Sequence, residues 1–70
     1  MEEETKYALH EQRVVDEASE LAVKVRALGA FILDNPIYLT LTEEDQELLN
    51  NQLRFMESYL ETLEKRIKRF

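Results

Sequence analysis

Two long heptad repeats, separated by a segment around the single proline, most constrain the fold of this chain. Apolar residues recur in each repeat at alternating intervals of four and three, which keeps one side of a helix facing a partner over many turns. The pattern predicts an all-α fold, an antiparallel two-helix hairpin with a heptad seam. The seam residues are Val14, Ala18, Leu21, Val25, Leu28 and Ile32 in the first repeat, and Leu49, Leu53, Met56, Leu60, Leu63, Ile67 and Phe70 in the second.

Local signals set the predicted bounds of the two helices. Residues 1–6 are expected to be frayed or disordered, and residues 7–70 to form a single hairpin domain. The first helix is predicted at about 8–33, because Pro36 disfavours the helical conformation in the residue before it. Thr42 followed by three acidic residues is typical of a helix N-terminus, so the second helix is predicted at about 42–69. In the loop 34–41 we expect three apolar residues to fold over the open end of the hairpin: Ile37, Tyr38 and Leu39.

Each helix carries more apolar surface than one partner helix can cover. Small residues recur every seven positions beside the first seam, and Gly29 among them costs about 1 kcal/mol of helix propensity relative to Ala. That cost suggests that another backbone approaches closely at Gly29. We therefore expect the hairpins to assemble into an even, symmetric homo-oligomeric helical bundle. The additional stripes are Ala8, Val15, Ala22 and Gly29 in the first helix, and Leu48, Phe55 and Tyr59 in the second.

The composition argues against several functional classes. A formal net charge of -6 argues against binding long nucleic acid, which requires a basic surface. No apolar stretch approaches the roughly 20 residues of a membrane span, and the acidic start does not resemble a signal peptide. The absence of Cys excludes disulfides and thiolate metal sites. We expect a soluble cytoplasmic protein with no membrane partner.

The sequence offers no arrangement of residues that is typical of catalysis. His10 is the single histidine and has no companion at a metal-ligand spacing, and Ser19 and Ser58 lie in helices without a nucleophile motif. No glycine-rich phosphate loop is present. We therefore expect neither enzymatic activity nor a bound metal or cofactor.

Five side chains remain as candidates for binding a small anionic ligand. Tyr7 is either the first core position or a platform on which a base stacks. Lys24 either covers apolar surface with its stem or contacts a phosphate at a subunit boundary. An ion pair with Glu17, one turn away, is the simplest role for Arg13. The basic residues near the end of the chain either complement the helix dipole or join an anion pocket in the oligomer. The candidates are Tyr7, Arg13, Lys24, Arg54 and Arg66.

Two segments carry a resemblance to known proteins. Residues 12–17 (QRVVDE) and the apolar pattern of residues 48–67 resemble small helical proteins of tailed phages, including a crAss-like phage protein family. Residues 23–29 (VKVRALG) and 52–56 (QLRFM) are more distantly similar to the helical hairpin of phage anti-CBASS and anti-Thoeris signal sponges. Arg54 stands where those sponges carry a glycine before Phe-Met, and Tyr7 lies about two turns from the register of their aromatic residue.

The resemblance to the sponges implies a function as well as a fold. It implies a compact hexamer of hairpins that holds cyclic oligonucleotides or ADP-ribose-type signals between subunits in the host cytoplasm and performs no chemistry. Lys24 would contact phosphate, Tyr7 would stack on a base, and Arg54 or Arg66 would line a second pocket. The alternative is a helical interaction module that docks on a host or phage protein through its apolar stripes and has no small-molecule ligand.

Overall fold

A computed structural model describes residues 7–70 of the chain as two long helices joined by a short one. Helix α1 spans Leu9–Asp34, α2 spans Pro36–Thr40 and α3 spans Glu43–Lys68. Helices α1 and α3 pack against each other, and residues 7–70 contain no strand. The prediction of an all-helical chain with two long packed helices is confirmed. The predicted fraying of residues 1–6 lies outside the described residues.

The connection between the long helices is built from local capping contacts. Asn35 ends α1, where its backbone N–H donates to the carbonyl of Phe31, and begins α2, where its side chain accepts from the N–H of Ile37 at 2.9 Å. Pro36 occupies the first turn of α2, where no N–H is required. The Thr42 hydroxyl begins α3 by accepting from the N–H of Asp45 at 3.1 Å. The predicted loop 34–41 therefore contains a helix of its own.

The core of the hairpin is small. Leu63 is 1% exposed and packs with the buried Ala18 and Leu21 on α1. These residues belong to the predicted heptad seams, which identifies the seam as the surface on which α1 and α3 meet. The partly buried apolar residues packed around the three are Val14, Val25, Met56, Leu60 and Ile67. Much of the apolar surface of the chain lies outside this core.

Helix α2 covers the end of the hairpin with one of its three apolar side chains. The Tyr38 ring packs edge-on against Phe31 with centroids 6.2 Å apart, and its hydroxyl accepts from the Asn50 amide at 2.7 Å. Ile37 and Leu39 remain 58% and 78% exposed. The expectation that all three fold over the end is wrong for Ile37 and Leu39. Neighbouring residues of a helix point about 100° apart, so a single turn directs only one of the three toward α1 and α3.

Candidate functional site

A hydrogen bond between the two long helices marks one broad side of the hairpin. The Tyr59 hydroxyl on α3 donates to the Glu17 carboxylate on α1. Residues four or seven positions apart lie on the same side of a helix, so this bond places a series of residues on that side. We call this surface the Tyr59 face. Its members are Arg13, Glu17 and Lys24 on α1, and Glu44, Leu48, Phe55, Tyr59 and Arg66 on α3.

Three of the five candidate ligand residues lie on the Tyr59 face. Arg13 precedes Glu17 by one turn, Lys24 follows it by two turns, and Arg66 follows Tyr59 by two turns. All three cations are exposed. The Glu17 carboxylate beside them is engaged by Tyr59. The same side also carries the Glu17 and Glu44 carboxylates. Lys24 and Arg66 lie two turns from the Glu17–Tyr59 contact in opposite directions, roughly 20 Å apart, so the three cations do not converge on one phosphate within a single chain.

The ion pair predicted between Arg13 and Glu17 is not formed. Among residues 7–70 a salt bridge joins Lys65 to Glu61 at 3.4 Å, whereas Glu17 accepts from Tyr59 instead. The sequence suggested the ion pair because the two residues are one helical turn apart. It gave no sign of the partner on α3, which lies 42 positions away along the chain.

Between Glu44 and Arg66, the α3 part of the Tyr59 face is mainly apolar and open to solvent. Leu48 is 59% exposed, Phe55 67% and Tyr59 46%. They line an open groove of about 640 Å³. All of the residues that line it belong to α3, so within one chain the groove has a floor but no opposite wall. The lining is completed by Asn51, Gln52 and Met56.

Tyr7 and Arg54 lie away from the Tyr59 face. The half-buried Tyr7 ring packs edge-on against Phe70, with centroids 5.9 Å apart, at the end of the hairpin opposite α2. Lys24 lies 17 positions along the chain, roughly 25 Å at the rise of an α-helix, so one chain cannot place Tyr7 and Lys24 on one nucleotide. Arg54 donates to the Asn51 side chain at 2.7 Å, with its guanidinium carbon 5.7 Å from the centroid of the Phe55 ring.

Gly29, in the stripe of small residues on α1, has no close neighbour within the hairpin. A Cβ atom placed on Gly29 would meet no atom within 4 Å. The close approach that the sequence suggested at Gly29 is therefore not made by α3. Any such contact would have to come from another molecule.

The described residues show neither a metal-binding cluster nor a membrane helix. Residues 7–70 hold no group of three or more His, Cys, Asp or Glu side chains arranged to bind a metal ion. None of their helices combines the length and apolar composition that crossing a bilayer requires.

Comparison with known proteins gives one family and one phage relative. The family model described as Sequestin matches residues 8–69, which is almost the whole chain. The chain is also 43% identical over 61 residues to an uncharacterized 7.5 kDa protein in the denB-rIIB intergenic region of Enterobacteria phage T4. That match covers 87% of this chain and 94% of the phage protein. No solved structure matches the chain significantly.

Proposed function

This chain belongs to the Sequestin family, and we propose that it is a phage anti-defence protein that sequesters a nucleotide immune signal without chemistry. The family's name points to sequestration, and a curated relative is a phage protein. The resemblance of residues 23–29 and 52–56 to anti-CBASS and anti-Thoeris sponges supports a cyclic oligonucleotide or an ADP-ribose-type messenger as the ligand.

The observation that carries this proposal is the pairing of cations and aromatic rings on the Tyr59 face. Lys24 and Arg13 supply charge for phosphate groups. The ring of Tyr59, held by Glu17, supplies a surface on which a base can stack, a contact worth roughly 1–3 kcal/mol per base. A ligand with both phosphate and base would use both kinds of group.

We further propose that the ligand lies between subunits of a homo-oligomer, such as the hexamer that the resemblance implies. The Tyr59 face has no opposite wall within one chain, so a ligand held by Lys24 and Tyr59 would remain largely in solvent. Tight small-molecule sites cover most of the surface of their ligand. A second subunit would provide that cover, and in such an assembly Tyr7, Arg54 or Arg66 of one subunit could approach Lys24 of another.

Isothermal titration against a panel of nucleotides tests this function. The panel contains cyclic dinucleotides, cyclic trinucleotides and cyclic ADP-ribose isomers, with AMP as a reference for weak phosphate binding. We expect one class to bind at micromolar affinity or tighter, and mass spectrometry to recover it unchanged from the denatured complex. No binding by any member would rule out sequestration of these messengers, and a converted ligand would rule out binding without chemistry.

A second candidate function, docking on a protein partner, is favoured by the apolar surface near α2. Leu33 is 82% exposed and Leu39 is 78% exposed, and neither belongs to the Tyr59 face. A pull-down from host lysate with the parent chain and a Leu33→Asp/Leu39→Asp variant separates the two functions. A partner that binds the parent and not the variant supports docking, whereas sequestration needs no protein partner.

A further inference from the structure

We infer that two copies of this chain pair through their α3 helices, antiparallel and about a two-fold axis at Phe55. This inference rests on the self-association included in the proposed function, but it does not depend on nucleotide binding. It commits the groove on α3 to one occupant, the same surface of a second copy, and it leaves the nucleotide of the proposed function at the edge of that interface, beside Lys24.

Pairs of residues at equal distances from Phe55 share its side of α3, and the outermost pair carries opposite charges. Asn51 and Tyr59 each lie four positions from it, Leu48 and Thr62 seven, and Glu44 and Arg66 eleven. Spacings of four, seven and eleven return to the same side of a helix. An antiparallel copy would therefore place Phe55 against Phe55, Tyr59 against Asn51, and Arg66 against Glu44. The last two contacts each occur twice, because a two-fold interface repeats every pair.

The charges at the ends of α3 favour this orientation. The first turn contains Glu43, Glu44 and Asp45, and the last contains Lys65, Arg66 and Lys68. Antiparallel pairing brings the acidic turn of one copy to the basic turn of the other at both ends of the interface. Parallel pairing would place Glu44 against Glu44 and Arg66 against Arg66, and like charges across an interface are unfavourable.

The contacts of α3 within one chain leave this surface uncovered. The seam residue Leu63 is 1% exposed, whereas Phe55 is 67% exposed at the middle of the proposed interface. At about 100° per residue the two sides of α3 are roughly a right angle apart, so α3 can contact α1 and a second α3 together. Two hairpins paired in this way form a four-helix arrangement in which the two α3 helices lie inside. Lys24, on α1, would then lie at the edge of the interface between the two hairpins.

Sedimentation velocity over a range of concentrations tests the pairing. We expect the parent chain to form dimers or larger even assemblies, and Phe55→Asp to sediment as an 8.3 kDa monomer with unchanged helical circular dichroism. The fold is retained because Phe55 contributes little to the seam. A parent chain that stays monomeric at millimolar concentration would overturn the inference, as would a Phe55→Asp variant that associates like the parent.

Charge reversal tests the antiparallel register. Glu44→Arg and Arg66→Glu should each weaken association by roughly tenfold, since each affects two contacts per dimer, and the double variant should recover most of the loss. Glu43→Arg is the matched control, because it makes the same change in the same turn on another side of α3. Equal effects of Glu43→Arg and Glu44→Arg, or no recovery in the double variant, would overturn the register.

A single cysteine gives a readout independent of charge, because the chain has no cysteine of its own. Under mild oxidation Phe55→Cys should form a disulfide-linked dimer, since residues on a two-fold axis approach within the few ångströms that a disulfide spans. Arg26→Cys on α1 is the control, and equal cross-linking of both would contradict the axis. Titration of Phe55→Asp with a nucleotide ligand separates the pairing of α3 helices from the proposed function. If monomeric Phe55→Asp still binds the nucleotide, sequestration stands and only the position of the ligand between subunits is contradicted.

Discussion

Tyr59 and Glu17 join α3 to α1 through the one side-chain hydrogen bond between the two long helices that residues 7–70 show. The two residues lie outside the apolar seam, on the same side of the hairpin as Arg13 and Lys24. The bond therefore fixes both an aromatic ring and the Glu17 carboxylate on the side of the hairpin that carries the two cations.

Tyr59→Phe should lower the free energy of unfolding by about 1 kcal/mol, because it removes this hydrogen bond and keeps the ring. Urea denaturation followed by circular dichroism gives the value. A double-mutant cycle with Glu17→Ala should show that the two substitutions are not additive. Fully additive effects would show that the bond contributes nothing in solution.

Leu63→Ala should be the most damaging single truncation in the hairpin. Leu63 is the most completely buried side chain described, and its removal leaves a cavity that costs about 2–5 kcal/mol. Leu39→Ala is the matched control, because Leu39 is 78% exposed and its loss should change stability by less than about 0.5 kcal/mol. Thermal melts of both variants measure the difference, and similar melting temperatures would contradict the small core.

Thr42→Ala should destabilise the chain by about 0.5–2 kcal/mol, since the Thr42 hydroxyl caps the first turn of α3. Thr42→Ser keeps an oxygen at the same position and should stay close to the parent. The two variants are compared by urea denaturation at one protein concentration. Equal losses would mean that the methyl group of Thr42 matters and its hydroxyl does not.

Gly29→Ala should stabilise the hairpin by about 0.5–1 kcal/mol, because Gly is a poor residue within a helix and no atom opposes the added methyl group. The free energy of unfolding is measured at a concentration where the chain is monomeric. A loss of association in the same variant at higher concentration would place Gly29 against another subunit, as the stripe of small residues suggested.

Lys24→Ala should weaken nucleotide binding by tenfold or more if Lys24 contacts phosphate, since hydrogen bonds to charged groups are worth about 1.5–3 kcal/mol. Arg26→Ala removes the same charge two positions away, on nearly the opposite side of α1, and should bind like the parent. Both are titrated with the ligand found in the nucleotide panel. Equal losses in the two variants would indicate general electrostatic attraction and no site at Lys24.

The sequence predicted the fold because the fold depends on periodicity and capping. The seam from Val14 to Ile32, and the Thr42 cap with three acids behind it, are local patterns that determine helix type and position. The sequence could not predict which of Ile37, Tyr38 and Leu39 packs inward. That outcome depends on the five-residue helix α2 and on the partners of Tyr38 at Gln46 and Asn50.

The candidate site was less predictable, because it depends on how the two helices are rotated about their axes. Lys24 and Arg13 were identifiable as cations near the seam. Their position beside Tyr59 follows from a contact between residues 42 positions apart, which no local pattern encodes. The spacing of Phe55 and Tyr59 was visible in the sequence, but the side of the hairpin that they occupy was not.

The small core has a consequence for how the chain opens. Ala18 and Leu21 lie toward the middle of α1 and Leu63 lies in the C-terminal half of α3, and they are the buried residues among those described. Amide hydrogens near them should exchange with solvent most slowly, and those of α2 and the outer turns should exchange rapidly through local fraying. Slower exchange that spreads from this centre into the outer turns would therefore show that these turns have been covered on binding, by a nucleotide or by another copy of the chain.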